Sequence, residues 1–244
     1  LPGQWLDTYV PGITKAGGFT ITSPPSAASA GLCEPHLELA IQKSPENAVA
    51  AWLWQPEESI MGANLQVRVG GGFVFPPPSF RLNDMTTVVF IAGGVGINPL
   101  MSMISHIGEA NDFPNLQVFV FYASKMPHQG GLENILFVPR IAALFANSRI
   151  TGQFNMFLTG SAGGRQLLSP SRRAPPFLDS VVAVHEGRLS MADLGQVLRG
   201  RDSHSSVFYI CGPPAMTDSL SESLCSESSE LCASPDQIMT EKWW

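Results

Sequence analysis

Six consecutive residues, Thr87-Val88-Val89-Phe90-Ile91-Ala92, offer no charged or amide side chain, and glycines follow at 93, 94 and 96. A strand without a polar face has to be covered on both sides, as central strands of parallel sheets are. The glycines let the chain leave that strand through a tight turn. A helix is predicted from Pro99 to Glu109, with Leu100, Met103, Ile104 and Ile107 along one face. Buried strand, glycine turn and amphipathic helix in this order point to an α/β layer architecture.

The same alternation continues downstream. Strands are predicted over Leu116 to Ala123, Phe154 to Thr159 and Val207 to Cys211. Helices are predicted over Asn134 to Phe145, Met191 to Arg199 and Pro214 to Leu231. Residues 79–244 therefore read as a doubly wound α/β domain with a mostly parallel sheet. The Pro76-Pro77-Pro78 run marks the linker into it. Before the linker, Gln4 to Val10, Gly18 to Thr22, His36 to Lys43 and Asn64 to Val69 read as short strands, the last two by period-two alternation. A short helix is predicted over Ala48 to Trp54. Residues 1–78 thus read as a small antiparallel barrel or sandwich that is short of strands. The opening Leu1-Pro2-Gly3-Gln4-Trp5 looks like the lead-in to a strand inside a domain, which predicts further sequence before it.

Several function classes are disfavoured. A formal net charge of −6 offers no basic face for nucleic acid. No apolar run approaches the ~18 residues of a membrane-spanning helix. The cysteines at 33, 211, 225 and 232 show no metal-ligand spacing, so no metal site is expected, and their scatter fits a reducing compartment. The histidines at 36, 106, 128, 185 and 204 form no motif.

Two segments carry the chemistry. In Ala92-Gly93-Gly94-Val95-Gly96-Ile97-Asn98-Pro99, glycines allow close approach of backbone to a pyrophosphate. Asn98 is expected as N-cap and Pro99 as the first helical residue, leaving free N–H donors for phosphate. Pro99 stands where the third glycine of the dinucleotide fingerprint would be, and a purely structural turn is the competing reading. The second segment, Phe208-Tyr209-Ile210-Cys211-Gly212-Pro213-Pro214-Ala215-Met216, leaves Cys211 at the carboxyl end of its strand, the rim where open α/β sheets bind ligands. The alternative for Cys211 is a small buried hydrophobe.

Taken together, Gly-Gly-x-Gly-Ile-x-Pro and, about 115 residues later, Cys-Gly-Pro-Pro-x-Met resemble the ferredoxin–NADP reductase and cytochrome b5 reductase superfamily. The resemblance implies an antiparallel flavin-binding barrel followed by an NAD(P)-binding domain, with hydride passing between nicotinamide and FAD. It implies that Gly93, Gly94, Val95, Gly96, Ile97, Asn98 and Pro99 hold the dinucleotide pyrophosphate. Cys211 would sit beside the nicotinamide as the catalytic residue, in a pocket shaped by Gly212, Pro213 and Met216. Gly187-Arg188-Leu189 resembles a short Gly-Arg-Ile/Leu segment of the superfamily, with a surface arginine as the competing reading.

The flavin half departs from the pattern. Its Arg-x-Tyr-Ser motif is faced by Gly17-Gly18-Phe19-Thr20, so Phe19 could stack on a flavin and Thr20 bond to it, while the arginine for the FAD phosphates is absent. The Gly-x-x-Ser/Thr phosphate contact faces Asn47 to Ala51 and is absent too. Gly70-Gly71-Gly72-Phe73 and Pro2-Gly3-Gln4-Trp5 do resemble barrel segments. The expectation is that FAD binds poorly or not at all to these 244 residues. Trp243-Trp244 would either cover a flavin or pack on the surface.

Between NAD and NADP the residues are ambivalent. Ser124 and Lys125 stand where an acidic residue would grip a ribose, and Ser161 and Arg165 lie where relatives place a 2′-phosphate site. The resemblance implies a redox acceptor, protein or small molecule, and a mitochondrial location. Two functions stay open: an NAD(P)H-dependent flavin oxidoreductase, or an NAD(P)-binding regulatory module without a working flavin site.

Overall fold

In the computed structural model, residues 1–110, 112–127, 129–160, 178, 180–226, 229 and 231–242 are described. The amino-terminal part forms a three-stranded antiparallel sheet from β1 (Trp5–Tyr9), β2 (Gly17–Thr20) and β3 (Gln66–Gly70), in the order β2-β1-β3. Leu6 of β1 faces Phe19 on one side and Val69 on the other. Period two sets which side chains go inward, and Leu6 and Thr8 are the buried ones. Gly70 and Gly71 leave room for the Trp5 indole, since a Cβ on either would come within 2.8 Å of that ring. Two short helices, α1 (Ala48–Leu53) and α2 (Glu57–Ile60), lie between β2 and β3.

The alternating segment His36 to Lys43 is not a strand, contrary to the expectation; it makes a single isolated bridge, Leu39 to Ile21. Its alternation meets no buried face, because residues 36 and 37 and residues 42 and 43 are all exposed. Its backbone groups are satisfied elsewhere. Glu38 O accepts from Thr22 N at 2.8 Å, and Glu38 N donates to Ser23 Oγ at 3.0 Å. Ile41 O accepts from Trp54 Nε1 at 3.0 Å. The segment is a strap pinned mostly by side chains.

The second part is a six-stranded sheet with every strand parallel, in the order β7-β6-β5-β4-β8-β9. The elements are β4 (Thr87–Gly93), α3 (Ile97–Glu109), β5 (Gln117–Lys125), α4 (Val138–Ala146), β6 (Thr151–Thr159) and β7 (Val182–Glu186). They continue with α5 (Met191–Leu198), β8 (Ser206–Gly212), α6 (Pro214–Cys225) and β9 (Ile238–Lys242). The chain moves outward from β4 to β7, then returns to lay β8 on the other side of β4. The order therefore reverses between β4 and β8, and that switch point opens a crevice at the carboxyl ends of the strands.

Both faces of this sheet are covered. Val88, Phe90, Val118, Val120, Tyr209 and Cys211 face α3 and α4 in one core. Val89, Ile91, Phe119, Phe208 and Ile210 face Leu194 and Leu198 of α5 and Leu220 and Leu224 of α6 in the other. Side chains from the first core also reach the amino-terminal sheet region. Tyr209 Oη donates to Val74 O at 2.8 Å, and Ser102 Oγ donates to Ser23 O at 2.7 Å. The expected class, antiparallel β followed by a doubly wound parallel α/β unit, is the one the chain adopts.

Four details differ from expectation. The edge strands β7 and β9 were not anticipated, because five-residue strands of mixed polarity, Val-Ala-Val-His-Glu and Ile-Met-Thr-Glu-Lys, carry no continuous apolar signal. The helix predicted over 134–145 starts at Val138 instead, after Phe137 takes a left-handed φ of 62° ahead of Pro139. The helix predicted to reach Leu231 stops at Cys225, where a serine-rich stretch of poor helix formers begins. Finally, Gly96 rather than Asn98 is the N-cap of α3, because a single 3-10 turn, Gly94–Gly96, runs straight into it.

Candidate functional site

A cleft of about 1150 Å³ opens over the carboxyl ends of β4, β5, β6 and β8. Gly93, Gly94 and Val95 form one lip, and Gly212, Pro213 and Met216 form the opposing one. These two turns abut: a Cβ on Gly212 would lie 3.1 Å from Gly93 Cα, and one on Gly93 would lie 2.8 Å from Pro213 Cδ. Only glycines let the two chain turns meet this closely. Gly94 has φ +55° with nothing within 4 Å of its Cβ position, so its missing side chain leaves open space toward the cleft. No side chain caps α3, but its Ile97 N–H already donates to Gly94 O and Val95 O and Pro99 has none, so it is the glycine turn ahead of the helix, at its positive dipole end, that faces an anion.

The residues expected to hold the pyrophosphate therefore divide. Gly93, Gly94 and Val95 line the cleft. Gly96 lies beneath it, where a Cβ would meet Cys211 O at 2.1 Å, so that glycine serves packing of α3 on β8. Ile97 and Pro99 are buried in the helix. Asn98 turns away from the large cleft and lines a second one.

This second cleft, of about 430 Å³, is lined by Phe19, Thr20, Lys43, Asn47 and Asn98, among others. Asn98 Nδ2 donates to Ala40 O at 3.1 Å, while its Oδ1 is buried with no hydrogen-bond partner among the described residues. A buried acceptor left unpaired is costly, and a ligand N–H entering this cleft would satisfy it. The ring end of a flavin suits this lining, with Phe19 for stacking and Thr20 and Asn98 for polar contact. The phosphate end fits less well. Asn47 Oδ1 already accepts from Val49 N and Ala50 N, both at 3.1 Å, so the first donors of α1 are occupied. Among the described residues Lys43 is the cation of this lining, and Gly17 supplies none. Gln42 and Val95 line both clefts, which thus share a wall.

Cys211 is fully buried on the α3 side of β8 and lines neither cleft. Its neighbour in register on β9 is Glu241, a residue sequence reasoning missed. Paired residues of a parallel ladder point to the same face, so Glu241 lies beside Cys211. Glu241 Oε2 is buried without a partner among the described residues, and burial pushes its carboxyl up from the ordinary 4.5 to about 7. The mixed polarity of Ile-Met-Thr-Glu-Lys hid the strand, so nothing in the sequence marked its acid. Lys125 and Arg188 both line the large cleft, which raises Arg188 above a mere surface cation. Ser161, Arg165, His128, Trp243 and Trp244 lie outside the described residues. Among the described residues no group of three His, Cys, Asp or Glu is placed to hold a metal ion, and no helix is long and apolar enough to cross a membrane.

No family model matches the sequence. Among known proteins, the chain is 32% identical over 255 residues to oxidoreductase NAD-binding domain-containing protein 1 of Xenopus laevis, covering 99% of this chain and 69% of that one. It is 27% identical over 245 residues to the reductase component of propane 2-monooxygenase from Rhodococcus jostii, covering 99% of this chain and 55% of the relative. In structure it resembles the flavohem-like FAD/NAD-binding domain of nitric oxide dioxygenase from Vibrio cholerae, with a TM-score of 0.64 at 16% identity, covering 99% of this chain and 84% of that one. With a glycine-lined cleft at the switch point of a ferredoxin-reductase-type fold, and with identity at this level along its whole length, the chain belongs to the oxidoreductase NAD-binding domain-containing protein 1 family.

Proposed function

We propose that the protein is an NAD(P)H-dependent flavin oxidoreductase, in which residues 79–244 bind the nicotinamide dinucleotide and residues 1–78 contribute to the flavin site. The observation that carries this reading is the shared wall. The glycine-lipped cleft and the Phe19–Thr20–Asn98 cleft meet at Gln42 and Val95. Two ligands with one between-wall are what exchange between two redox rings requires. When bound, the nicotinamide and flavin supply the hydride chemistry, and the protein supplies position and environment.

Each group then has a task. Gly93 and Gly94 admit the pyrophosphate to the N-terminal turn of α3, and Pro213 and Met216 bound the nicotinamide end. Phe19 stacks on the flavin ring, while Thr20 and the unpaired Asn98 Oδ1 bond its polar edge. Cys211 and Glu241 act from beneath as positioning residues, fixing the carboxyl ends of β8 and β9. The name of the Rhodococcus relative, a reductase component, supports onward delivery of electrons to a separate acceptor.

A second reading, a nucleotide-binding module without working flavin, is favoured by Gly17 in place of a cation and by Asn47 consuming the α1 donors. Titrating the protein with FAD and then with NADPH, followed by visible absorption, separates the two. Saturable flavin binding, with bleaching of the flavin band by NADPH, supports the oxidoreductase. Nucleotide binding without any flavin uptake supports the module.

A further inference from the structure

We infer that the far end of the large cleft is built for an additional phosphate on the adenosine side, so that the protein selects NADP(H) over NAD(H). This rests on the reading of that cleft as the dinucleotide site.

Charge is the first argument. The chain carries 20 acidic and 14 basic residues, for a net charge of −6. Among the described residues, the lining of the large cleft nonetheless includes Lys125 and Arg188 and neither Asp nor Glu. Among the described residues, neither cation is engaged by a carboxylate. Two unpaired cations facing one cleft in an acidic protein mark a place for an anion.

Position is the second. Lys125 closes β5, next to the strand that carries the glycine turn. Arg188 follows β7, and its place is fixed because Gly187 N donates to Leu158 O at 2.9 Å, extending the ladder one step past the strand end. Neighbouring strands lie ~4.8 Å apart, so the end of β7 is roughly 14 Å from the end of β4. A dinucleotide whose pyrophosphate sits at the β4 turn, extended along the strand ends, brings its adenosine over β5 and β6 and into the space between Lys125 and Arg188.

Chemistry is the third. A site selecting NAD(H) sets an acidic side chain at the end of the second strand to accept from the ribose 2′-hydroxyl. Here Ser124 and Lys125 occupy that place, and an acid there would repel a phosphate. Of the acids flanking Arg188 in sequence, Glu186 ends β7 outside the lining of the cleft, and Asp193 has its carboxylate committed to Ser190, accepting from its N at 2.8 Å and its Oγ at 2.6 Å. Guanidinium suits a phosphate through paired N–H donors, and a lysine adds a point charge.

The test uses the full chain and measures binding by calorimetry, with 2′,5′-ADP and 5′-ADP as probes that differ only by the phosphate in question. The wild type is expected to bind 2′,5′-ADP at least about tenfold more tightly, as charge-assisted bonds to phosphate imply. The double substitution Lys125→Ala with Arg188→Ala should bring the two probes to parity while changing 5′-ADP affinity by less than about twofold. Both side chains are exposed, so circular dichroism should show the fold unchanged. If wild type binds both probes equally, or if the variant keeps the preference, the selectivity inference fails while the nucleotide site stands. If wild type binds neither probe nor NADPH, the nucleotide reading itself is overturned, and the inference falls with it.

Discussion

Alanine at two glycines only two residues apart should produce opposite phenotypes. At Gly96, an added Cβ would lie 2.1 Å from Cys211 O, 2.5 Å from Cys211 C and 2.9 Å from Gly212 N. Ordinary contact begins near ~3.5 Å, so the overlap with the carbonyl oxygen is about 1.4 Å. All three atoms are backbone, in a strand laddered to β4 on one side and β9 on the other. The strand cannot shift without breaking hydrogen bonds on both sides. Overpacking against side chains that can yield costs ~1–3 kcal/mol, and a clash with a fixed strand belongs at or above the top of that range. For a protein of this size, ~3 kcal/mol lowers Tm by roughly 6–12 °C.

At Gly94 the added Cβ meets nothing within 4 Å, and the cost comes from φ +55° alone. Left-handed backbone costs an L-residue about 1–2 kcal/mol, hence roughly 2–8 °C. The new methyl, however, stands at the lip of the large cleft. Gly94→Ala should therefore weaken NADPH binding by about tenfold or more, while Gly96→Ala, assayed well below its Tm, should weaken it less. Urea unfolding and calorimetric titration of both variants check this. A Gly96→Ala protein within ~1 kcal/mol of wild type would show that α3 does not press on β8 as described. Unchanged NADPH affinity in Gly94→Ala would remove the turn from the binding site.

Glu241→Gln should flatten a pH dependence of stability. The folded carboxyl holds its proton up to about 7 against 4.5 unfolded, so wild-type stability falls as pH rises from 4.5 to 7 and levels off above, and unfolding midpoints at closely spaced pH values should show that slope only in wild type. Tyr209→Phe removes the buried hydroxyl that donates to Val74 O at 2.8 Å, and should cost ~1–3 kcal/mol in urea unfolding with no change in nucleotide affinity. Cys211→Ser keeps the side chain's size beneath the glycine turn; single-turnover flavin reduction should slow at least about threefold with NADPH affinity within about twofold, and an equal loss of both would reduce Cys211 to packing.

The α/β half was legible because its signals are local and redundant. Thr87 to Gly93 is buried along its whole length, and Val207 to Cys211 likewise, so apolar runs alone reveal them. The edge strands β7 and β9 were not legible, because an edge strand has one neighbour and tolerates His185 and Glu241 among its valines and isoleucine. The alternation at His36 to Lys43 misled for the converse reason: period two reports a strand only where one face is buried, and this strap spends its backbone bonds on Thr22, Ser23, Trp54 and Asn98. The glycine cluster was visible as a unit, but its division of labour was not. Gly94 and Gly96 look alike in sequence, and they differ only through Cys211 and Gly212, more than a hundred residues away.

The strap shows how the amino-terminal segment sets the geometry of the proposed reaction. Ala40 O is held by Asn98 of α3 at 3.1 Å and Ile41 O by Trp54 at 3.0 Å, so the backbone is anchored immediately before Gln42. Gln42 and Val95 then form the wall common to both clefts. Val95 belongs to the same turn as Gly94, and Asn98 to the first turn of the helix that follows. The spacing between the two clefts is thus fixed by one helix start rather than by the mutual placement of two independent bodies. Asn98→Ala would release the strap and remove the unpaired Oδ1 together, changing ring binding and inter-cleft spacing at once. Asn98→Asp separates them, because it loses the donor to Ala40 and keeps the acceptor position. Under the proposed function, Asn98→Asp should retain flavin affinity better than Asn98→Ala yet share its slowed single-turnover reduction by NADPH. Equal flavin affinities in the two variants would refute a ligand contact at Oδ1, and an unchanged reduction rate in both would refute the strap as the element that sets the spacing.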